Sequence, residues 1–208
     1  MHRIFSPKGF SIVMRSGDSR RFGIDLENQR DKIVAAAVET SETSDGLPEF
    51  DKILIKGRSC HLTSDYSHSL ILRALARNVS RRLNIRPKNR DAIVREVIET
   101  LSDGSNMYII RRDIKSFFES LPCKDARSAI LGNSFIPSRA KIFLRSFFEK
   151  FCKDDLGVPR GIGLSSVIAE LAMRSTDQKI RNTPGVYKYF RYADDMLIFC
   201  FSDPVPIC

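Results

Sequence analysis

The chain lacks the features that mark several large protein classes. No apolar run approaches the roughly 18 residues that a membrane span needs. The opening Met1-His-Arg-Ile-Phe-Ser-Pro-Lys8 has no apolar stretch of the kind a secretory leader carries. Five cysteines, Cys60, Cys123, Cys152, Cys200 and Cys208, are scattered and odd in number, with no Cys-x-x-Cys pair. His2, His61 and His68 have no partner spacing, so nothing points to zinc. Such cysteines read as reduced thiols, and the expected location is the cytoplasm, with no membrane partner. Internal repeats and low-complexity tracts are also missing.

What remains is an ordinary globular composition with a basic excess. The 208 residues suffice for one good-sized core or two small subdomains, and 42% of them are hydrophobic. A net charge of +9 and a pI near 9.5 point to a polyanionic partner. The excess is clustered: Arg73, Arg77, Arg81, Arg82, Arg86, Lys88 and Arg90 fall close together. Lys and Arg contacts to phosphate dominate nucleic-acid affinity. The alternative reading of this cluster is a solvated helix face.

Periodicity places the elements. Residues 1–28 predict irregular structure or a short hairpin. Asn28 to Glu42 predicts a helix with Ile33, Val34, Ala37 and Val38 as its apolar stripe. Lys52-Ile-Leu-Ile-Lys56 predicts a short strand that Gly57 ends. Ser67 to Leu83 predicts a helix with Ile71, Ala74, Leu75, Val79 and Leu83 on one face and arginines on the other. Pro87 interrupts, and Asn89 caps a second helix through Leu101, with Ile93, Val94, Val97, Ile98 and Leu101 inward. Asp103-Gly104 turns into a strand ending at Asp113. Helices follow over 123–131 and 137–152, then a glycine-rich loop from Gly157 to Gly163 and a helix over 164–181. Pro184-Gly185 leads into a hairpin. Helices, strand, helices and hairpin predict an α+β fold, an antiparallel sheet backed by helices.

The hairpin carries the most informative residues. Asp194 and Asp195, in Tyr192-Ala-Asp-Asp195, lie between two β-prone apolar segments. Adjacent carboxylates repel, and a bound divalent cation is a natural compensation. A hard cation such as Mg²⁺ takes carboxylate oxygens and keeps positions open for substrate phosphates. A third carboxylate, Asp113, ends the strand Met107-Tyr-Ile-Ile-Arg-Arg-Asp113. For each acid the alternative is a structural ion pair with Arg111, Arg112 or Arg191.

In combination these motifs resemble those of reverse transcriptases, in particular the bacterial retron, group II intron and phage-defence types. The family's first acidic motif looks like Asp-Ile-Lys-x-Phe-Phe, here Asp113 to Phe118, and its second is Tyr-x-Asp-Asp, here Tyr192 to Asp195. Between them the family carries a motif like Gly-x-Pro-x-Gly-x-x-x-Ser, here Gly157-Val-Pro-Arg-Gly-Ile-Gly-Leu-Ser165. The resemblance runs from about Leu70 to Phe201. It implies a right-hand polymerase fold with fingers and a partial palm but no thumb: a basic, fingers-like region over 1–106 and a partial palm over 107–208.

The same resemblance implies an RNA-directed DNA polymerase that extends a DNA or RNA primer on an RNA template with dNTPs. Two Mg²⁺ ions, or Mn²⁺ in their place, would sit about 3.5–4 Å apart. Asp113, Asp194, Asp195 and the carbonyl of Ile114 would hold them. Phe118 would lie under the sugar of the incoming nucleotide and exclude a 2′-hydroxyl, leaving Phe117 to the core. Arg160 and Gly161 would contact nucleotide or template, although Arg160 stands where the family usually has Gln. Lys88 and Arg90 would meet the triphosphate, and Arg73, Arg77, Arg81 and Arg82 the nucleic acid.

Two other classes compete. A polymerase copying RNA into RNA tends to carry Gly-Asp-Asp and a small polar group near the sugar, which Tyr192-Ala193 and Phe118 oppose. A catalytically inactive, nucleic-acid-binding remnant is the second. The chain ends soon after Asp195 in Ser202-Asp-Pro-Val-Pro-Ile-Cys208, whereas the family continues with palm strands, a primer-gripping hairpin and a thumb. The expectation is therefore a truncated chain, whether by a frameshift, a split gene or a shortening of the sequence itself, and a split gene would make a separately encoded palm and thumb its partner. Phage defence is the preferred role, because the motifs around Asp113 and Gly157 look closest to that group.

Overall fold

The computed structural model describes residues 4–104 and 106–201. The ending from Ser202 to Cys208, on which the truncation argument leaned, lies outside the described residues.

The N-terminal region is helical where irregular structure was expected. Ser6 caps α1 (Pro7–Val13) by accepting from the Gly9 amide, and Pro7 occupies the first turn. Helix α2 (Asp18–Phe22) ends at Gly23 in the left-handed region. Both are too short for a 3.6-residue period to appear in sequence. Helix α3 (Arg30–Thr43) matches its expected span. The single strand expected at Lys52 is a hairpin, β1 (Asp51–Ile55) and β2 (Arg58–Leu62). Lys56 and Gly57 form its two-residue turn with φ of 50° and 73°, the positive values that match strand twist.

Asp65 caps α4 (Tyr66–Arg82), and Asn89 caps α5 (Arg90–Leu101) through the Asp91 amide. After β3 (Tyr108–Asp113) come a single turn, α6 (Phe117–Ser120), then α7 (Lys124–Gly132), α8 (Ser138–Phe151) and the long α9 (Gly163–Arg181). The chain closes with β4 (Val186–Tyr192) and β5 (Asp195–Cys200). These last two strands and β3 form one antiparallel sheet in the order β3-β5-β4.

The main core gathers Phe10, Leu70, Ile71, Leu75, Phe117, Phe143, Phe147, Phe148 and Leu164, drawing on both sides of the 106/107 boundary. The sheet has a small cluster on each face. Tyr189, Ile198 and Cys200 pack with Ile180 of α9 on one face, and Phe190 and Phe199 pack with Ile93 of α5 on the other. Alternation along the strands assigns Ile110 to the α9 face and Leu197 to the α5 face. Two expectations need correction here. Of the α5 stripe only Ile93 and Val97 pack on the sheet, because α5 crosses it beside β4; Val94, Ile98 and Leu101 face outward. Arg73 is no solvated cation either. Its guanidinium forks onto the buried Asp18, with Nη2 to Oδ1 at 2.7 Å, and also donates to the Val13 carbonyl.

That pair ties the N-terminal helices to α4. Asp18 further accepts from the Tyr66 hydroxyl and the Arg15 amide, each at 2.8 Å. Burial alone would raise the Asp18 carboxyl, but Arg73, the Arg15 amide and Tyr66 together bring it down to about 2.

Candidate functional site

The sheet register brings the two acidic motifs together. Asp113, the last residue of β3, is the Cα partner of Asp195, the first residue of β5. Residues directly opposite on paired strands share a face, so both carboxylates stand on the α5 side. One residue on, the Ile114 amide donates to the Asp194 carbonyl at 3.2 Å. The loop of the β4–β5 hairpin has two residues, Ala193 and Asp194, and Ala193 adopts a positive φ of 52°.

The two turn acids diverge. Asp195 accepts from Arg111 Nη2 at 3.0 Å, two residues before Asp113 on the same strand face. Asp194 lies near Arg160 instead. That guanidinium is held protonated chiefly by its fork on Glu119, and the Asp194 carboxylate lies near enough to add to the effect. Among the described residues no three His, Cys, Asp or Glu side chains gather closely enough to hold a metal. The donor chemistry nevertheless fits a hard divalent cation, since three carboxylates rise from two abutting strand ends. The Arg111–Asp195 pair is exposed on both sides, and such pairs contribute about 0–1 kcal/mol, so a cation can displace it.

At Arg160 lies an open cavity of about 500 Å³, lined also by Phe118, Gly161, Ile55, Lys56, Arg58 and Cys60. Phe117 is buried in the core and Phe118 is half-buried on the cavity wall. The Arg160 guanidinium lies over the Phe118 ring, 5.1 Å from its centroid, and forks onto Glu119 at 2.7 and 3.0 Å. That fork holds the Glu119 carboxyl below its ordinary value. The backbone is laced as tightly: the Val158 amide donates to the Phe118 carbonyl at 2.7 Å and the Gly157 amide to the Leu121 carbonyl at 2.9 Å. On the far wall the His61 amide of β2 donates to the Arg160 carbonyl at 2.7 Å.

Several basic residues stand elsewhere than expected. Lys88 and Arg90 do not line the Phe118 cavity. Lys88 bonds Glu96 at 2.7 and 2.9 Å, and Arg90 borders a separate hollow with Arg111 and Asp195. The cations at the Phe118 cavity are Arg160, Lys56 and Arg58. Sequence reasoning missed the last two, although two cations flanking the turn glycine of a hairpin were a readable signal. Arg77, Arg81, Arg82 and Arg86 are exposed on the C-terminal half of α4 and the loop after it. Arg191, weighed in sequence as a partner for the turn acids, bonds Glu170 and Asp177 of α9 instead.

A family model described as reverse transcriptase (RNA-dependent DNA polymerase) matches residues 15–204. The chain belongs to the reverse transcriptase family. Its mixed fold of helices and antiparallel strands is that of the fingers and part of the palm. Among solved structures, the chain is similar to a chain of a partial Cas6-RT-Cas1–Cas2 complex, at 18% identity and a TM-score of 0.49. The match covers 96% of this chain and 38% of that one. A chain of the Cas6-RT-Cas1–Cas2 complex matches at the same identity and TM-score, with 96% of this chain and 23% of that chain covered. The chain thus spans well under half the length of both. No curated protein matches it. Among its described residues no helix is long and apolar enough to cross a membrane.

Proposed function

We propose that this chain carries the nucleotide- and metal-binding centre of an RNA-directed DNA polymerase that adds dNTPs to a primer on an RNA template. The observation that supports it most is the abutment of Asp113–Ile114 with Asp194–Asp195, fixed by the strand register and the Ile114–Asp194 bond. Asp113, Asp194, Asp195 and the Ile114 carbonyl would hold two Mg²⁺ or Mn²⁺ ions. When bound, such ions lower the pKa of an attacking hydroxyl and neutralise charge developing on the leaving phosphate. The chain's own residues place the substrate. Lys56, Arg58 and Arg160 meet the triphosphate with positive charge, the Phe118 ring supports the sugar, and the Glu119 fork keeps Arg160 over that ring. Positioning of this kind supplies much of the rate in phosphoryl transfer. Arg77, Arg81 and Arg82 would follow the phosphate backbone of template or primer. A palm and thumb supplied by a further segment or chain would complete the grip on the duplex. Phage defence in the cytoplasm is the biological role we infer.

The second reading, a nucleic-acid-binding protein without catalysis, is favoured by one observation: Asp195 is already paired with Arg111, and the three acids do not gather. Binding of a labelled dNTP with and without Mg²⁺ separates the two. The polymerase reading expects Mg²⁺-dependent binding that Asp194→Asn abolishes while RNA binding persists. Equal dNTP binding by wild type and Asp194→Asn would leave only the non-catalytic reading.

A further inference from the structure

Arg191 is the last residue but one of β4, and its side chain is only 5% exposed. All five of its N–H donors are used. Nε and Nη2 fork onto Asp177 at 2.8 and 2.9 Å, while Nη1 and Nη2 fork onto Glu170 at 3.0 and 2.8 Å. The remaining Nη1 donor goes to the Ala193 carbonyl at 3.0 Å. Asp177 also accepts from the Tyr189 hydroxyl at 2.9 Å. Glu170 and Asp177 lie two helical turns apart and so share one stripe of α9. A rigid helix thereby holds a planar fork, and the fork holds a carbonyl in the hairpin turn.

The turn needs such an anchor. Ala193 is a non-glycine residue at φ 52°, a conformation that costs roughly 1–2 kcal/mol for a residue with a Cβ. The peptide it begins carries Asp194, whose own carbonyl receives the Ile114 amide. Local preference therefore does not fix the direction of Asp194, and the Arg191 bond acts on the peptide immediately before it.

We propose that Arg191 is the positioning residue of the acidic turn: anchored by Glu170 and Asp177, it clamps the Ala193 carbonyl and thereby fixes the turn conformation that presents the Asp194 carboxylate. The proposal rests on the reading of Asp194 as a metal ligand. Arginine is required because five donors in a fixed plane can serve two carboxylates in pairs and still reach the turn. Lysine offers three donors around one point and cannot do this. The charge balance also keeps Arg191 in place. It faces two carboxylates on α9, so Asp194 and Asp195 do not draw it away, and Glu170 and Asp177 keep it charged despite its burial.

The test uses Arg191→Lys, which keeps the charge and loses the fork. Mn²⁺ binding to the full chain is followed by electron paramagnetic resonance, with folding checked by circular dichroism and with Asp194→Asn as the reference. Supporting groups around metal ligands typically set affinity by about 10–100-fold, so Arg191→Lys is expected to weaken Mn²⁺ at least about tenfold while remaining folded. Wild-type affinity in folded Arg191→Lys, with Asp194→Asn deficient, overturns this proposal and leaves the metal reading standing. Hydrogen exchange decides the mechanical claim without metal. The Ile114 amide and residues 193–195 should exchange at least about tenfold faster in Arg191→Lys, while Ile198 to Cys200 keep their protection. Unchanged exchange at the turn overturns the proposal, whereas Mn²⁺ binding that Asp194→Asn does not weaken overturns the metal reading instead. Should Arg191→Lys fail to fold, the isosteric Glu170→Gln loosens one fork only. It is expected to weaken Mn²⁺ about threefold, the size of losing part of one hydrogen bond, and unchanged binding and exchange there refute the clamp.

Discussion

Replacing Gly161 with alanine tests whether the β1–β2 hairpin belongs to the proposed nucleotide pocket. Gly161 has a φ of +92°, and a Cβ built on it would stand 2.5 Å from the His61 carbonyl oxygen and 3.3 Å from the His61 nitrogen. Both are backbone atoms, so no side-chain rotation relieves the clash. The left-handed backbone costs an alanine roughly 1–2 kcal/mol. Forcing packed backbone apart costs about 1–3 kcal/mol, and losing the His61–Arg160 bond about 1 kcal/mol. The sum is about 3–6 kcal/mol, or a Tm lower by about 6–24 °C for a chain of this size. If the hairpin swings away instead, the stability loss shrinks, but Lys56 and Arg58 leave the pocket and triphosphate affinity falls. Urea unfolding and dNTP binding together cover both outcomes. Gly163→Ala is the control. Nothing lies within 4 Å of its Cβ and it opens α9, so it should be neutral or stabilising by up to about 1 kcal/mol. Stability and dNTP affinity both unchanged in Gly161→Ala would mean that the hairpin is not held against the loop.

Three further outcomes are expected. Replacing Arg77 and Arg81 together with alanine should flatten the salt dependence of RNA binding by about one unit for each phosphate no longer neutralised; an unchanged slope makes them a solvated helix face. Phe118→Val should open the pocket floor, so that ribonucleotide binding approaches that of deoxyribonucleotides; intact discrimination in a nucleotide competition assay would remove Phe118 from the sugar site. Asp18, held at about 2 in the fold against about 3.9 unfolded, contributes stability that is fully present above pH 4 and lost as pH falls through 2. The advantage of wild type over Asp18→Asn in denaturant unfolding should therefore shrink by about 2 kcal/mol between pH 6 and pH 2, and a constant difference would show that the Arg73 pair does not govern this carboxyl.

The acidic motifs were legible because their chemistry is local and their order is specific. Asp113 ends a β-branched strand, Asp194 and Asp195 sit in a turn between apolar segments, and neither inference needed the tertiary fold. The cap at Asn89 was equally readable, since an oxygen-bearing side chain before an apolar period has a single geometric use, whereas the Asp65 cap was not read. Helices α1 and α2 escaped notice because five to seven residues give less than two turns of period. Strand β2 escaped because Gly57, read as a stop, is the second residue of a reversing turn. The outward face of α5 failed for another reason. Periodicity marks an apolar stripe but not which part of it meets a neighbour, and the sheet covers only Ile93 and Val97.

The cations were the least legible part of the site, and charge pairing across the fold explains why. Composition counts Arg73, Lys88, Arg160 and Arg191 alike toward the net charge of +9. In the fold each has a carboxylate partner distant in sequence or set by register: Asp18, Glu96, Glu119, and the Glu170–Asp177 pair. A buried guanidinium paired in this way costs a great deal to expose, because its partner would be left charged and dry. Arg73 and Arg191 therefore cannot turn outward to a phosphate, whatever the overall charge. Lys88 and Arg160 hold half-exposed acids, so a triphosphate or a strand of RNA can compete for them. Among the described residues, Lys56 and Arg58 beside the Phe118 cavity, and Arg77, Arg81 and Arg82 on α4 with Arg86 in the loop after it, have no such ion pair. On the proposed function, the first group would meet the nucleotide triphosphate and the second the phosphate backbone of the nucleic acid.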